Sequence, residues 1–501
     1  MKHLTNLLSR RAELTPNRLA MTDLVSGEAW TYQALHERVL RLASVFISCG
    51  AKDGARVSVL CRNRIGFFEV LFAAANTGAI VTPLNWRAPL PELAPLVGQA
   101  EPVLIVCGQE DLDVAANLAQ TSNAKLLNFD DHTDQGYEAL LARSPLAEAR
   151  RHWAFDDIWY LLYTSGTTGQ PKAVIQTYGM AHVNAVNLGQ AIDLNSQDVT
   201  LNFLPLFHTA GINLHTLPTL FAGGHVLILP GFEVDRVMEL LVKGTISTFF
   251  GVPAVYQGLS LHPEFETVAL DKVRHWGCGG APLSDTLVHA FASRGAKVAN
   301  GMGMTETGPT VFLADPETAT QKIGSVGKPQ ILCEARIVGS DGIEAPSGET
   351  GELWLSGPGI TPGYWGNPEA TAASITLDGW LKTGDLARKD ADGCFYIVGR
   401  LKEMFISGAE NVYPAEVENV LALHPAVLEA AVIGVEDARW GEVGHAFILV
   451  RPNQAMPVAA DLQSWCRDHL APYKVPKYVT LVEEFPRTPA GKIQKHLIVR
   501  P

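Results

Sequence analysis

The chain has 501 residues, more than one compact core holds, so two or more domains are expected. Its 47% hydrophobic and 18% charged residues describe an ordinary globular protein. A net charge of −13 argues against nonspecific nucleic-acid binding and against docking on anionic membranes.

At the start of the chain, "MKHLTNLLSRRAELTP" lacks the apolar run of a signal peptide, because Arg10, Arg11 and Glu13 interrupt it. No later stretch approaches the roughly 20 apolar residues of a membrane span. Seven cysteines are scattered, odd in number and never spaced C-x-x-C, which fits reduced thiols and neither disulfides nor a zinc site. These features predict a soluble, cytoplasmic protein with no membrane span and no nucleic-acid partner.

Up to about residue 250, strand-length apolar runs alternate with helical segments. "ARVSVLC" precedes an amphipathic "GFFEVLFAAANTGA" and then "PVLIVC"; "HVLILPG" precedes "VDRVMELLVKG" and then "ISTFFGVP". The alternation predicts βαβ units and parallel sheets. From about residue 325 the texture turns to short strands with Gly/Pro turns, as in "EARIVGSDG", "GELWLSGPG" and "DGWLKTGDLARKDADGCFYIVG". After Gly399 it changes again: "EVENVLALHP" and "ADLQSWCRDHL" read as helices, "VLEAAVIGV" and "HAFILVRP" as strands. The last 28 residues hold six basic side chains against two acidic ones, an edge suited to a polyanion.

Within this frame "YTSGTTGQPK" (163–172) concentrates hydroxyls and glycines before a lysine. Such a loop can turn its N–H groups and hydroxyls toward one anion, above all a phosphate. It is not the P-loop of ATPases, since Pro171 precedes Lys172 and Ala173 follows it. In "GMGMTET" (301–307) a carboxylate, Glu306, stands beside a hydroxyl, Thr305, as a hard oxygen ligand for a phosphate-bound metal. "KTGDLARKD" offers Asp385, a carboxylate suited to paired ribose hydroxyls. Arg400 and Lys402 open the last segment, and "PRTPAGKIQK" carries Lys492 on a Pro/Gly-bounded loop.

Together and in this order, these motifs resemble the adenylate-forming superfamily of acyl-CoA synthetases, adenylation domains and luciferases. The resemblance covers essentially the whole chain. "PLFHTAG", "FGVPAVYQ", "CGGAP", "GYWGNPEAT", "ENVYPAEVE" and "RWGEVG" make it most similar to bacterial feruloyl- and 4-coumarate-type CoA ligases and their fatty-acyl relatives.

The resemblance implies an α/β fold, with a large N-terminal domain of parallel αβ sheets plus a small β-rich subdomain (1–399). A small mobile α+β C-terminal domain follows (400–501). It implies ATP, Mg²⁺ and coenzyme A as cofactors, a carboxylic acid as substrate, and a homodimer as an admissible assembly. Thr164, Ser165, Gly166, Thr167, Thr168, Gly169 and Lys172 would cradle the β- and γ-phosphates. Lys492 would bridge the α-phosphate and the attacking carboxylate, Glu306 would hold Mg²⁺ with Thr164 or Thr167 assisting, and Thr305 would touch the α-phosphate. Gly280, Ala281 and Pro282 would flank the adenine. Met302 stands where the family has an aromatic ring stacking on that base. Asp385 and Arg400 would bind the ribose, and Lys402 would be the hinge. His208 would gate the path between acid pocket and thiol tunnel. Ser407, Gly408 and Ala409 would face the pantetheine, and Trp440 and Lys477 the rest of coenzyme A.

For the acid itself, "HTAGINLH", "GVPAVY" and "HWGCGG" would line the pocket, with Ala210, Gly211 and Gly277 leaving space for a ring or an alkyl chain. The segment has no carboxylate for an α-amino group and no evident arginine for a second carboxylate. An arylpropenoic acid is therefore expected first and a medium- or long-chain fatty acid second. Malonate and non-catalytic adenylate binding come after these.

Overall fold

The computed structural model describes residues 3–164, 171–281, 283–408, 410–452, 454–487 and 493–498. Arg56–Leu60 is the centre of a six-stranded sheet, flanked in parallel by Ile80–Pro83 and Pro102–Cys107. Lys125–Asn128 extends one edge in parallel. On the other side Ile158–Thr164 runs parallel to Ile80–Pro83, and Lys172–Thr177 folds back antiparallel on it. Arg56–Leu60, Ile80–Pro83 and Pro102–Cys107 are largely β-branched or aliphatic runs buried on both faces, as a parallel sheet between helices requires.

The helix Ile65–Thr77 departs from the amphipathic reading: it is buried on nearly every side, Glu69 included. It packs with the helix Tyr32–Cys49 inside the largest core, so no face is left for water. A buried carboxylate is tolerable only when paired. Arg38 holds Glu69 from one side, and the Tyr137 hydroxyl donates to its Oε2 at 2.6 Å from another.

A second sheet follows one hydrogen-bonded path through thirteen strands. Its parallel run is Leu19–Asp23, His225–Ile228, Val199–Asn202, Thr248–Gly251, His275–Cys278 and Val298–Met304. From Gly308–Leu313 onward the pairing is antiparallel, through Ser325–Pro329, Phe395–Arg400, Leu381–Lys389, Thr350–Ser356 and Glu334–Val338. That run is the expected β-rich subdomain, continuous with the parallel sheet.

In chain order the last strand of this sheet ends at Arg400, and the next sheet begins at Phe405–Ser407. Five strands drawn from residues 405–482 form it, with the helices Pro414–Ala422 and Ala459–His469 packed on a separate small core. The fold is mixed α/β with a large N-terminal and a small C-terminal domain. Among the described residues no helix is long and apolar enough to cross a membrane.

Candidate active site

Thr164 ends one strand of an antiparallel hairpin and Lys172 begins the other, directly opposite it. The Thr164 hydroxyl reaches the Lys172 carbonyl at 3.5 Å. The phosphate-loop residues between them, Ser165, Gly166, Thr167, Thr168 and Gly169, lie outside the described residues.

A segment from the β-rich region clips across the second strand of the hairpin. Ile175 N–H donates to Gly363 (3.1 Å), Trp365 N–H to Ala173 (2.8 Å), and the Thr361 hydroxyl to Ile175 (2.7 Å). The clip sets Tyr364 under Lys172, whose Nζ lies 4.8 Å from the ring centroid. The Tyr364 hydroxyl donates to Glu306 Oε1 at 3.1 Å, and Thr361 N–H donates to the Glu306 carbonyl at 2.7 Å. Burial, and then the Glu306 carboxylate, push the Tyr364 phenol up to about 12, so it stays a donor at neutral pH. Thr305 is fixed through its carbonyl, which accepts from Gln176 Nε2 at 2.7 Å.

Lys172, Glu306 and Thr305 therefore converge, and Tyr364 joins them. Tyr364 was not singled out from sequence, although "GYWGNPEAT" was. A neutral tyrosine between glycine and tryptophan carries no chemical signature until long-range pairing brings it to a carboxylate. Among the described residues no three His, Cys, Asp or Glu side chains cluster as metal ligands. A single carboxylate with nearby hydroxyls fits Mg²⁺ that arrives on phosphates, because that ion keeps several waters and needs few protein ligands.

Asp385 and Arg400 face each other across adjacent antiparallel strands. Arg400 Nε lies 2.6 Å from Asp385 Oδ1, and the Asp385 side chain is buried while Arg400 is partly exposed. Lys402 is exposed in the turn that follows, where Leu401 N–H bonds the Gly384 carbonyl at 2.9 Å. The pair is thus fixed beside the passage into the C-terminal domain.

Gly280 (φ +83°) and Ala281 form the bend after the strand His275–Cys278; Pro282 lies outside the described residues. Glycine at 279 lets two strands close: a Cβ there would stand 3.0 Å from the Phe250 ring and 3.2 Å from the Gly301 carbonyl. Met302, opposite Phe312, is half-buried against the β-rich core. The His208 ring lies tilted beside that of Phe207, with centroids 4.8 Å apart, in the turn before Ala210–Leu214.

The expectation that Gly211 and Gly277 leave open space is corrected. A Cβ on Gly211 would lie 2.3 Å from the Pro205 carbonyl oxygen. One on Gly277 would lie 2.9 Å from Phe250 and 3.2 Å from His275 Nε2. Both glycines serve close packing.

In the C-terminal domain Ser407 is buried and Gly408 adopts φ +61°. Gly408 N–H donates to the Trp440 carbonyl at 2.9 Å, and a Cβ on it would meet the indole at 2.8 Å. Trp440 is exposed. Asp437 holds its loop by accepting from Arg439 and Trp440 N–H groups, and pairs with Lys477 at 2.5 Å. Those bonds, the lysine first, hold Asp437 down to about 2. Ser407, Gly408, Trp440 and Lys477 thus form one surface. Ala409 and Lys492 lie outside the described residues. Beside the latter, Arg487 and Ile493 pair as an antiparallel bridge.

Two family models match the chain: "AMP-binding enzyme" over residues 8–365 and "AMP-binding enzyme C-terminal domain" over 416–492. A feruloyl-CoA synthase of Amycolatopsis sp is 39% identical, over 97% of this chain and 96% of its own. An indoleacetate–CoA ligase of Aromatoleum aromaticum is 35% identical over 98% and 96%. The crystal structure of ATP-bound MatB from Rhodopseudomonas palustris superposes with a TM-score of 0.91 at 30% identity, covering 99% of this chain and 98% of that one.

Proposed function

The chain belongs to the AMP-binding enzyme family, and from that premise we propose that it joins an arylpropenoic acid, ferulate or a close analogue, to coenzyme A by way of an acyl-AMP. In the first step the acid's carboxylate attacks the α-phosphate of Mg-ATP and pyrophosphate leaves. In the second the thiol of coenzyme A attacks the acyl carbon and AMP leaves.

The array Lys172–Tyr364–Glu306 carries this reading. Attack on phosphorus builds charge on oxygen, so the protein's part is mainly positioning and electrostatics. Lys172 meets the phosphates that depart as pyrophosphate. Glu306, oriented by Tyr364, would hold the Mg²⁺ that accompanies them, with Thr164 assisting. Asp385 and Arg400 are a matched acceptor and donor for the ribose diol, and Lys492 neutralises the two anions that must meet.

We take residues 1–399 as the nucleotide-holding domain and 400–501 as the domain that turns about Lys402. Turning replaces Lys492 with the Ser407–Gly408 surface, so one site serves both steps. Trp440 and Lys477 then lie toward the nucleotide end of coenzyme A. The aryl preference is supported by the named relatives, both of which act on aromatic acids. A cytoplasmic setting suits the cosubstrates and the seven free cysteines.

The test is product analysis with ATP, Mg²⁺, coenzyme A and either ferulate or decanoate. Feruloyl-CoA and AMP, formed with kcat/KM well above that for decanoate, are expected. A preference for decanoate would replace the aryl reading with the fatty-acyl one. No thioester from any acid would overturn both.

A further inference from the structure

We propose that His215 and His275 are the specificity residues for the distal end of the acid, taking a ring hydroxyl between them; this rests on the acid–thiol ligase reading above. Thr200, Thr248 and His275 are lateral neighbours on three adjacent parallel strands. Phe250 and Gly277 form the next row toward the loop at Gly280. His215 comes from the helical segment covering this face. Its Nδ1 stands 3.4 Å from the Thr200 hydroxyl, and its ring lies 6.0 Å from that of His275 and 5.9 Å from that of Phe250.

Both imidazoles are at least nine-tenths buried, at 6% and 4% exposure, yet Nε2 of each lacks a hydrogen-bond partner among the described residues. The neighbouring Thr248 hydroxyl, fully buried, lacks one as well. Unpaired polar atoms at this depth are costly, and their clustering at one place calls for an occupant. His275 Nε2 points along its strand toward Gly277, since a Cβ on that glycine would be 3.2 Å away.

The chemistry selects the group. Each neutral imidazole presents its Nε2 as donor or as acceptor according to which ring nitrogen carries the proton. A hydroxyl is both donor and acceptor and satisfies the two together. Burial keeps both rings neutral, pushing His215 down to about 4 and His275 to about 3; Asp198 opposes this at His215, while His215 and Arg274 add to it at His275. Neutral rings give a second carboxylate no countercharge, and an alkyl terminus would leave both nitrogens unpaired.

The test compares kcat/KM for 4-hydroxycinnamate and for cinnamate, which lacks the hydroxyl. The intact enzyme should favour the hydroxylated acid by about tenfold or more. His215→Leu and His275→Leu should abolish that preference, bringing kcat/KM for 4-hydroxycinnamate to that for cinnamate in the same variant, and His275→Gln should restore part of it. Equal use of both acids by the intact enzyme overturns the inference, and this comparison needs no variant to fold. Equal loss on both acids in folded leucine variants, verified by thermal melting, also overturns it and assigns the pair to packing around internal water. Absence of pyrophosphate release with every acid is a different result, the failure of the ligase reading itself.

Discussion

At Lys172 an ammonium over an aromatic face, and at Tyr364 a hydroxyl on a carboxylate, connect three side chains far apart in sequence. Lys172→Ala removes a charge-assisted contact to phosphates that leave before thiolysis. It should slow adenylation about ten- to a hundredfold and leave thiolysis of supplied acyl-AMP nearly unchanged. Tyr364→Phe keeps the ring under Lys172 but frees Glu306, so a loss of about tenfold in adenylation is expected. Single-turnover rates of the two half-reactions measure both. The buried histidines set a pH limit. His215 and His275 stay neutral in the fold while the unfolded chain protonates near 6.5, so the unfolded state binds more protons as pH falls. Stability should drop from about pH 6.5 toward 4, by up to about 1.4 kcal/mol per pH unit for each ring. His36, His182, His225 and His445 act in the same direction. Denaturant melts of His275→Gln should show a shallower slope across that window.

Among the elements, two glycines test opposite uses of the residue. Gly303 lies in the hairpin that presents Glu306, where a Cβ would stand 2.2 Å from the Pro309 carbonyl oxygen. Gly303→Ala should destabilise the protein and reduce adenylation more than thiolysis. Gly98 lies inside the helix Leu90–Ala100 with nothing within 4 Å of such a Cβ, so Gly98→Ala should add about 0.5–1 kcal/mol in a denaturant melt. That helix also shows where the sequence reading ran out. "PLPELAPL" carries no reading in the sequence analysis; in the structure Pro91 sits in the first turn and Pro95 within the helix body. The strand Ile80–Pro83 before it was likewise not separated from its surroundings. By contrast Arg56–Leu60, His225–Ile228, Val234–Lys243 and the C-terminal helices were legible from periodicity and turn residues alone. Leu19–Asp23 shows the other limit: it pairs in parallel with His225–Ile228, two hundred residues away, and no local pattern encodes that choice. Charged site residues were readable because their chemistry is, whereas Tyr364, His215 and His275 gain meaning only from neighbours the fold supplies.

Across the whole molecule, the six-stranded sheet carries Thr164 and Lys172, the thirteen-stranded sheet carries the other nucleotide motifs, and the small domain includes the segment after Lys492. Lys495 ties that segment down, pairing with Glu418 at 2.7 Å and with Glu403, beside Lys402, at 3.1 Å. Removing one partner of a buried ionic group costs more than the pair contributes. Lys495→Met should therefore cost about 3 kcal/mol in a denaturant melt. The central claim is that two reactions share one site through an adenylate, and acid-dependent ATP–pyrophosphate exchange in the absence of coenzyme A tests it most directly. With ferulate present, labelled pyrophosphate should enter ATP, and adding coenzyme A should convert the accumulated acyl-AMP to thioester in a burst. A folded protein showing no acid-dependent exchange with ferulate, 4-hydroxycinnamate or decanoate would contradict the account.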